Sequence, residues 1–208
     1  MKECEIINNK DYIGDSHSVF ITHGASNHCD KEREKNDYYA TDPKAIKLLI
    51  EKERFSNNIW ECAVGEGHLA EYLINNKYNV KCSDIVDRGF NNTEVLDFLT
   101  YNEKWNGDII TNPPYKYALD FVKKSIDIIP NGNKVAMFLK LTFLEGKARR
   151  KFFDEYPPKI IYVCSGRIDC AKNGDFKAMK DGGGTALAYA WYIWEKGFKG
   201  DSIVKWIN

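Results

Sequence analysis

Ile59-Trp60-Glu61-Cys62-Ala63-Val64-Gly65-Glu66-Gly67-His68-Leu69-Ala70 decides the fold. Ile59–Ala63 is an apolar run of strand length, Val64–Gly67 is a glycine turn, and Leu69, Tyr72 and Leu73 then recur on one helical face. Gly65, Gly67 and Ala70 fit G-x-G-x-x-[GA] between a strand and a helix, where glycines let the backbone turn tightly and approach a nucleotide. Asp84 follows Gly67 by 17 residues at the end of the next strand, Val80–Ile85, where a carboxylate can hold ribose hydroxyls. This much defines a site for an adenosine-containing cofactor.

Outward from this turn the same alternation continues. Upstream, Asp42-Pro43 starts a helix with an acidic cap and proline in its first turn, and Ile46, Leu49 and Ile50 form its apolar stripe. Downstream come strands at Glu94–Asp97, Gly107–Thr111 and Lys134–Leu139, a helix over Ala118–Ile129 and a basic helix over Gly146–Tyr156. Strands alternating with helices predict a mostly parallel sheet covered on both faces. The end reads differently: Ala186–Trp194 and Ser202–Ile207 are two strands around a glycine-containing loop, an antiparallel hairpin. The expectation is a three-layer α/β sandwich closed by that hairpin. Residues 1–36 are polar and weakly periodic and read as an arm, which leaves 37–208 as a single domain. Within it, 142–184 forms a basic variable segment, and Ser165–Gly184 reads as loop.

Composition narrows the function. The 208 residues are 43% hydrophobic and 29% charged, which excludes disordered and fibrous classes. The 30 basic and 30 acidic residues balance, so a uniformly basic coating protein is excluded. The distribution is uneven, however, with 11 basic against 5 acidic side chains over 134–180. No apolar stretch approaches the ~20 residues that span a bilayer, and Met1–Glu5 lacks a signal-peptide core. A cytoplasmic location without membrane contact is expected, and no obligate protein partner is evident. The six cysteines include no CxxC pair and read as free thiols. His17, His23, His28 and Cys29 fit no standard zinc spacing, so no metal is expected.

Two features define the chemistry. Glu61 ends its strand ahead of the glycines, and a carboxylate there repels a pyrophosphate but attracts an α-ammonium and a sulfonium. That turns the reading from NAD to S-adenosylmethionine. Asn112-Pro113-Pro114-Tyr115 follows the strand ending at Thr111, and its two prolines stiffen a loop at the carboxyl end of the sheet. The Asn112 side-chain oxygen and the Pro113 carbonyl can accept both hydrogens of an exocyclic amine, while Tyr115 stacks on the ring that bears it. No cysteine nucleophile is needed, so Cys62 and Cys82 are not read as one. Lys116 and the helix residues Arg149, Arg150 and Lys151 are candidates for phosphate contact.

On these residues the chain resembles the class I S-adenosylmethionine-dependent N6-adenine DNA methyltransferases of the short phage and prophage type, over about residues 35–207. The resemblance implies methyl transfer to adenine N6 in DNA, with Asn112, Pro113, Pro114 and Tyr115 catalytic. It also implies that Asp37–Pro43, through Tyr39, Thr41 and Pro43, closes over the methionine end of the cofactor. Glu61, Ala63, Gly65, Gly67, Asp84, Ile85 and Asn112 complete the cofactor site, and Asp97-Phe98 is similar to the pair that holds the adenine ring. Trp191–Gly197 is similar to the terminal hairpin of these enzymes. Glu61-Cys62-Ala63-Val64 departs from the acid-proline pair frequent in the family but keeps the acid. No separate recognition domain is present in the sequence, and only 142–184 is available to read DNA. The same motif also serves enzymes that methylate an RNA base or a protein glutamine amide. A silent nucleic-acid-binding module and an NAD oxidoreductase are the rival readings from other classes.

Overall fold

The computed structural model describes residues 39–172, 176–177 and 187–208. The expected arm at 1–36, with its histidines and Cys29, lies outside the described residues.

Strand β1 (Tyr39–Thr41) leads into helix α1 (Lys44–Lys52). Asp42 starts the helix as its sequence suggests: its carboxylate accepts from the Lys44 N–H at 2.8 Å. The chain then continues through β2 (Asn58–Glu61), α2 (His68–Asn75), β3 (Asn79–Asp84), β4 (Thr93–Val95) and β5 (Asp108–Thr111). Next come α3 (Ala118–Ile128), β6 (Lys134–Lys140), α4 (Lys147–Glu155), β7 (Ile160–Cys164), β8 (Cys170–Lys172), β9 (Tyr189–Glu195) and β10 (Ile203–Ile207).

Eight strands form one sheet in the order β10-β7-β9-β6-β5-β2-β3-β4, with β9 antiparallel to both neighbours and every other pairing parallel. Successive strand residues point to opposite faces, and each face has its own helices. Ile59, Ile110, Ala136, Phe138, Trp191 and Ile193 pack with α1 and α2 through Ile46, Leu49, Leu69 and Leu73. Trp60, Ile109, Val135, Met137, Tyr192 and Trp194 pack with α3 and α4 through Phe121, Val122, Ile126 and Phe152. Each fully buried side chain of this size contributes about 1.5–3 kcal/mol. The buried tryptophans also satisfy their N–H groups: Trp60 donates to Ser83 Oγ, Trp191 to the Ala45 carbonyl and Trp194 to the Tyr156 carbonyl, at 2.9, 2.9 and 3.1 Å. The three-layer sandwich is therefore as expected.

The terminal hairpin is not. β9 and β10 do not pair; β7, an element unread in the sequence, lies between them. The connection from Lys196 to Ser202 crosses the foot of β7. There the Lys159 N–H donates to the Ile193 carbonyl at 2.7 Å, and the Lys159 carbonyl accepts from the Ile203 N–H at 3.1 Å. The physical reason is burial. Residues Tyr189–Trp194 are all buried, and a strand apolar on both faces belongs inside a sheet rather than in a two-stranded flap. The edge falls instead to β10, where Ile203, Val204 and Trp206 are exposed.

Ser165–Gly184 is likewise not all loop. Cys170–Lys172 forms β8, which pairs antiparallel with β1 in the register Tyr39↔Lys172, Ala40↔Ala171, Thr41↔Cys170. This ribbon is separate from the main sheet.

The two ends of the sheet differ in character. At the amino end Asp108 accepts from the Ser56 N–H, Asn133 Nδ2 and the Lys134 N–H at 2.6, 2.8 and 2.8 Å, tying three connections together. At the carboxyl end β2, β3, β5 and β6 deliver Glu61, Asp84, Thr111 and Lys140. Ligands bind open α/β sheets at that end.

Candidate active site

Glycines shape the first wall. Gly65 and Gly67 have φ of +58° and +87°, conformations that only glycine adopts without strain. A Cβ on Gly67 would also collide with the Phe90 ring. The turn is tied to the next strand by Asp84, whose Oδ2 accepts from the Gly65 N–H at 2.9 Å and whose Oδ1 accepts from the Val86 N–H at 3.1 Å. Asp84 thus holds the turn in place while its remaining lone pairs stay available.

Glu61 lies below that turn and is only 1% exposed. Neither carboxylate oxygen has a hydrogen-bond partner among the described residues. Burial pushes its carboxyl well above the ordinary carboxylate range; Asp84 pushes in the same direction, while Thr111 and the Ala63 N–H approach closely enough to oppose it in part. A buried carboxylate with no donor is costly. A cation or a group rich in N–H placed there would offset that cost.

Asn112 sits at the end of β5 with its amide fixed from one side. Nδ2 donates to the Tyr39 carbonyl at 3.1 Å and to Thr41 Oγ1 at 2.7 Å. Oδ1 is buried and has no partner among the described residues, nor does the neighbouring Thr111 hydroxyl. Among the described residues, the wall around Glu61 and Asn112 therefore holds buried polar atoms without a hydrogen-bond partner. Pro113 is buried and Pro114 half-buried, and Tyr115–Tyr117 forms one 3₁₀ turn behind them.

Tyr115 is more enclosed than its motif suggests. Its ring stacks on Tyr39 at 5.9 Å and lies 6.1 Å from Tyr189, and Lys140 Nζ sits 4.7 Å above it. Its hydroxyl donates to Cys170 Sγ at 3.6 Å. Burial pushes Tyr115 and Tyr189 up, and Cys170 up to about 11, so all three are neutral near pH 7. A base stacking on Tyr115 must exchange with the Lys140 ammonium. Burial likewise raises Cys62, and Cys82 to about 12, which keeps both as thiols.

The remaining expected residues divide. Tyr39 and Thr41 reach the site through β1, and Pro43 is exposed at the start of α1. Ile85 is exposed just beyond Asp84, and Asp97 accepts from the Leu99 N–H at 3.0 Å. Phe98 requires correction: at 2% exposure its ring is wedged in the core against Trp60 and Phe121, at 5.2 and 5.1 Å, and has no face left for an adenine. The basic residues stand in different surroundings. Lys116 stands beside the Asn112 loop, with Nζ 5.1 Å from the Tyr117 ring. Arg149 donates to the Thr142 carbonyl at 3.1 Å, and Arg150 pairs with Asp154 at 2.8 Å. Lys151 lines a cleft of about 700 Å³ with Lys123, Phe152 and Phe198. That cleft includes Asn131 and Trp194–Lys199 and so lies at the amino end of β6, away from Asn112. Among the described residues no group of His, Cys, Asp or Glu could hold a metal, and no helix is long and apolar enough to cross a membrane. Lys140, Cys170 and Tyr189 join the site without a motif in the sequence; only Lys140 carries a signal, its place at the end of β6.

Neither a protein-family model nor a curated protein sequence matches the chain. Solved structures do. The modification subunit of a candidate type I restriction enzyme from Vibrio vulnificus YJ016 superposes with a TM-score of 0.57 at 10% identity, covering 89% of this chain and 49% of that one. A predicted O-methyltransferase from Agrobacterium tumefaciens gives 0.54 at 14%, covering 79% and 85%. A candidate class I S-adenosylmethionine-dependent methyltransferase from Listeria monocytogenes gives 0.52 at 14%, covering 79% and 62%. The fold is therefore the Rossmann-like fold of the class I methyltransferases. The chain spans about half the length of the Vibrio subunit and about six-tenths of the Listeria protein.

Proposed function

We propose that this protein uses S-adenosylmethionine to methylate an exocyclic amine, with adenine N6 in DNA as the substrate. One observation carries the reading: at the carboxyl end of the sheet, Asn112 Oδ1, Glu61 Oε1 and Glu61 Oε2 are buried and have no hydrogen-bond partner among the described residues. A primary amine supplies hydrogen to the first, and the cofactor's α-ammonium supplies it to the other two. Asp84 takes the ribose hydroxyls, Gly65 and Gly67 allow close approach of the adenosine, and Ile85 offers apolar surface to the adenine ring. Bound there, S-adenosylmethionine would supply an electrophilic methyl group.

The chain's own part is positioning and electrostatics. An aromatic amine is a weak nucleophile because its lone pair is delocalised into the ring. Hydrogen bonds from its two hydrogens to Asn112 Oδ1 and the Pro113 carbonyl pull that nitrogen toward a tetrahedral, nucleophilic form. In duplex DNA the base must first leave the stack, and stacking on Tyr115, worth about 1–3 kcal/mol per base, then replaces the Lys140 contact with that ring. Lys116 and the basic 134–180 stretch support a phosphate-bearing partner.

The test is tritiated methyl transfer to adenine-containing DNA, to RNA and to protein, with thermal stability followed alongside. S-adenosylmethionine at about 100 times its dissociation constant is expected to stabilise the fold by about 2.7 kcal/mol, and NAD to do nothing. Stabilisation by NAD alone would reject the cofactor; label in RNA or protein but not DNA would move the substrate.

Glu61 makes the binding pH-dependent. Burial raises its folded-state pKa, so folding of the unliganded protein takes up a proton, and stability falls as pH rises from the ordinary carboxylate value to that raised one. An ammonium partner favours the ionised form, so binding releases the proton and tightens as pH rises through the same window. Glu61→Gln should abolish the proton release, seen by calorimetry in buffers of different ionisation heat, and weaken binding about 10- to 100-fold. Equal proton release in the variant would assign the linkage to another group.

A further inference from the structure

We propose that Thr41 is a positioning residue that, together with the Tyr39 carbonyl, fixes which end of the Asn112 amide faces the reacting group, and thereby restricts the site to nucleophiles that arrive carrying hydrogen. This rests on the amine-methylation reading above.

A side-chain amide has two ends of nearly the same shape and opposite chemistry: one accepts two hydrogen bonds and the other donates two. Packing alone does not choose between them. Here the choice is made by β1. The Tyr39 carbonyl can only accept, and it takes one Asn112 hydrogen at 3.1 Å. Thr41 Oγ1 takes the second at 2.7 Å, the shorter of the two. Both hydrogens are thereby occupied, and the end turned the other way is Oδ1, which is buried and has no partner among the described residues. Turning the amide over would set Oδ1 against the Tyr39 carbonyl, acceptor against acceptor.

A hydroxyl can also donate, so something must keep Thr41 in its accepting role. Thr41 is 3% exposed and stands in register with Cys170 across the β1–β8 ribbon, where its hydroxyl interacts with the thiol. A hydroxyl proton given to Cys170 would leave the Thr41 lone pairs to Asn112. An amine reaching Oδ1 then finds an acceptor. A ring nitrogen or an alkoxide, which has no hydrogen to give, finds a like-charged lone pair.

Thr41→Val removes the hydroxyl at nearly constant shape, and Thr41→Ser restores it. Three measurements on the whole chain decide: single-turnover methyl transfer to an adenine-containing oligonucleotide, the dissociation constant of S-adenosylhomocysteine, and exchange of the Asn112 side-chain protons followed by nitrogen-15 NMR. For Thr41→Val the expected results are transfer slowed about 10- to 100-fold, cofactor affinity within about threefold, and amide exchange at least about tenfold faster. Thr41→Ser should match the wild type in all three, and Thr41→Ala stands in if the valine variant does not fold. Transfer at the wild-type rate by Thr41→Val, or a loss fully accounted for by weaker cofactor binding, overturns the proposal. Should the wild type methylate no amine, the reaction reading falls, and the exchange measurement still decides the positioning role: unchanged exchange in Thr41→Val rejects it.

Discussion

Replacing Asn112 with alanine is expected to slow single-turnover methyl transfer about 10²- to 10³-fold, the scale of losing one preorganised electrostatic partner. Cofactor affinity should stay within about threefold, because the side chain lies beyond the cradle made by Gly65, Gly67 and Asp84. The separation follows from the geometry. Oδ1 is buried and has no partner among the described residues, whereas Nδ2 is bound to Tyr39 and Thr41 in the resting protein. The lost interaction therefore belongs to the reacting complex. A variant that transfers methyl groups at the wild-type rate would remove Asn112 from the chemistry, and a parallel loss of cofactor binding would make it a cofactor ligand.

Asp84→Ala should be damaging in a different way. Its carboxylate accepts from Gly65 and Val86, so alanine leaves two N–H groups, one in the glycine turn and one just past β3, without their acceptor. Each such loss costs about 1–3 kcal/mol. Binding of S-adenosylmethionine should weaken by a further 1.5–3 kcal/mol or about 10- to 100-fold, as charged hydrogen bonds to the ribose disappear. Calorimetry and thermal denaturation read the two effects separately. Unchanged stability would mean that the turn is held by its glycines alone, and unchanged affinity would mean that the ribose sits elsewhere.

Much of this arrangement is legible in the sequence because local chemistry and tertiary structure agree there. A glycine turn between a strand and a helix has few structural solutions, and Asn112-Pro113-Pro114-Tyr115 is stiff enough to follow its strand predictably. Elsewhere tertiary context decides. Cys170–Lys172 has no strand signal of its own; three residues become β8 because β1 is there to pair with them. The sequence pairs β9 with β10 because neighbours in sequence are commonly neighbours in space, whereas β7 separates them. The corrective signal was present, since Ile160–Cys164 is a continuous apolar run and Tyr189–Trp194 has no polar face to give to solvent. Phe98 shows the limit of motif reading. A pattern locates the backbone, but the side chain went where Trp60 and Phe121 offered it a core.

Because β9 lies between β6 and β7, no ladder joins those two strands directly. During synthesis β6 emerges with one long edge unpaired and β7 with both, until residues 189–195 follow. The half of the sheet that carries Glu61, Asp84 and Asn112 can assemble first, while the half that closes it waits for a strand buried on both faces to insert. The ribbon that orients Asn112 also waits, because β8 lies more than a hundred residues after β1. Unpaired edges of this kind are templates for wrong pairing, and contacts so distant in sequence form slowly. The newborn chain is thus most open to misassembly in the interval before its last two strands are in place.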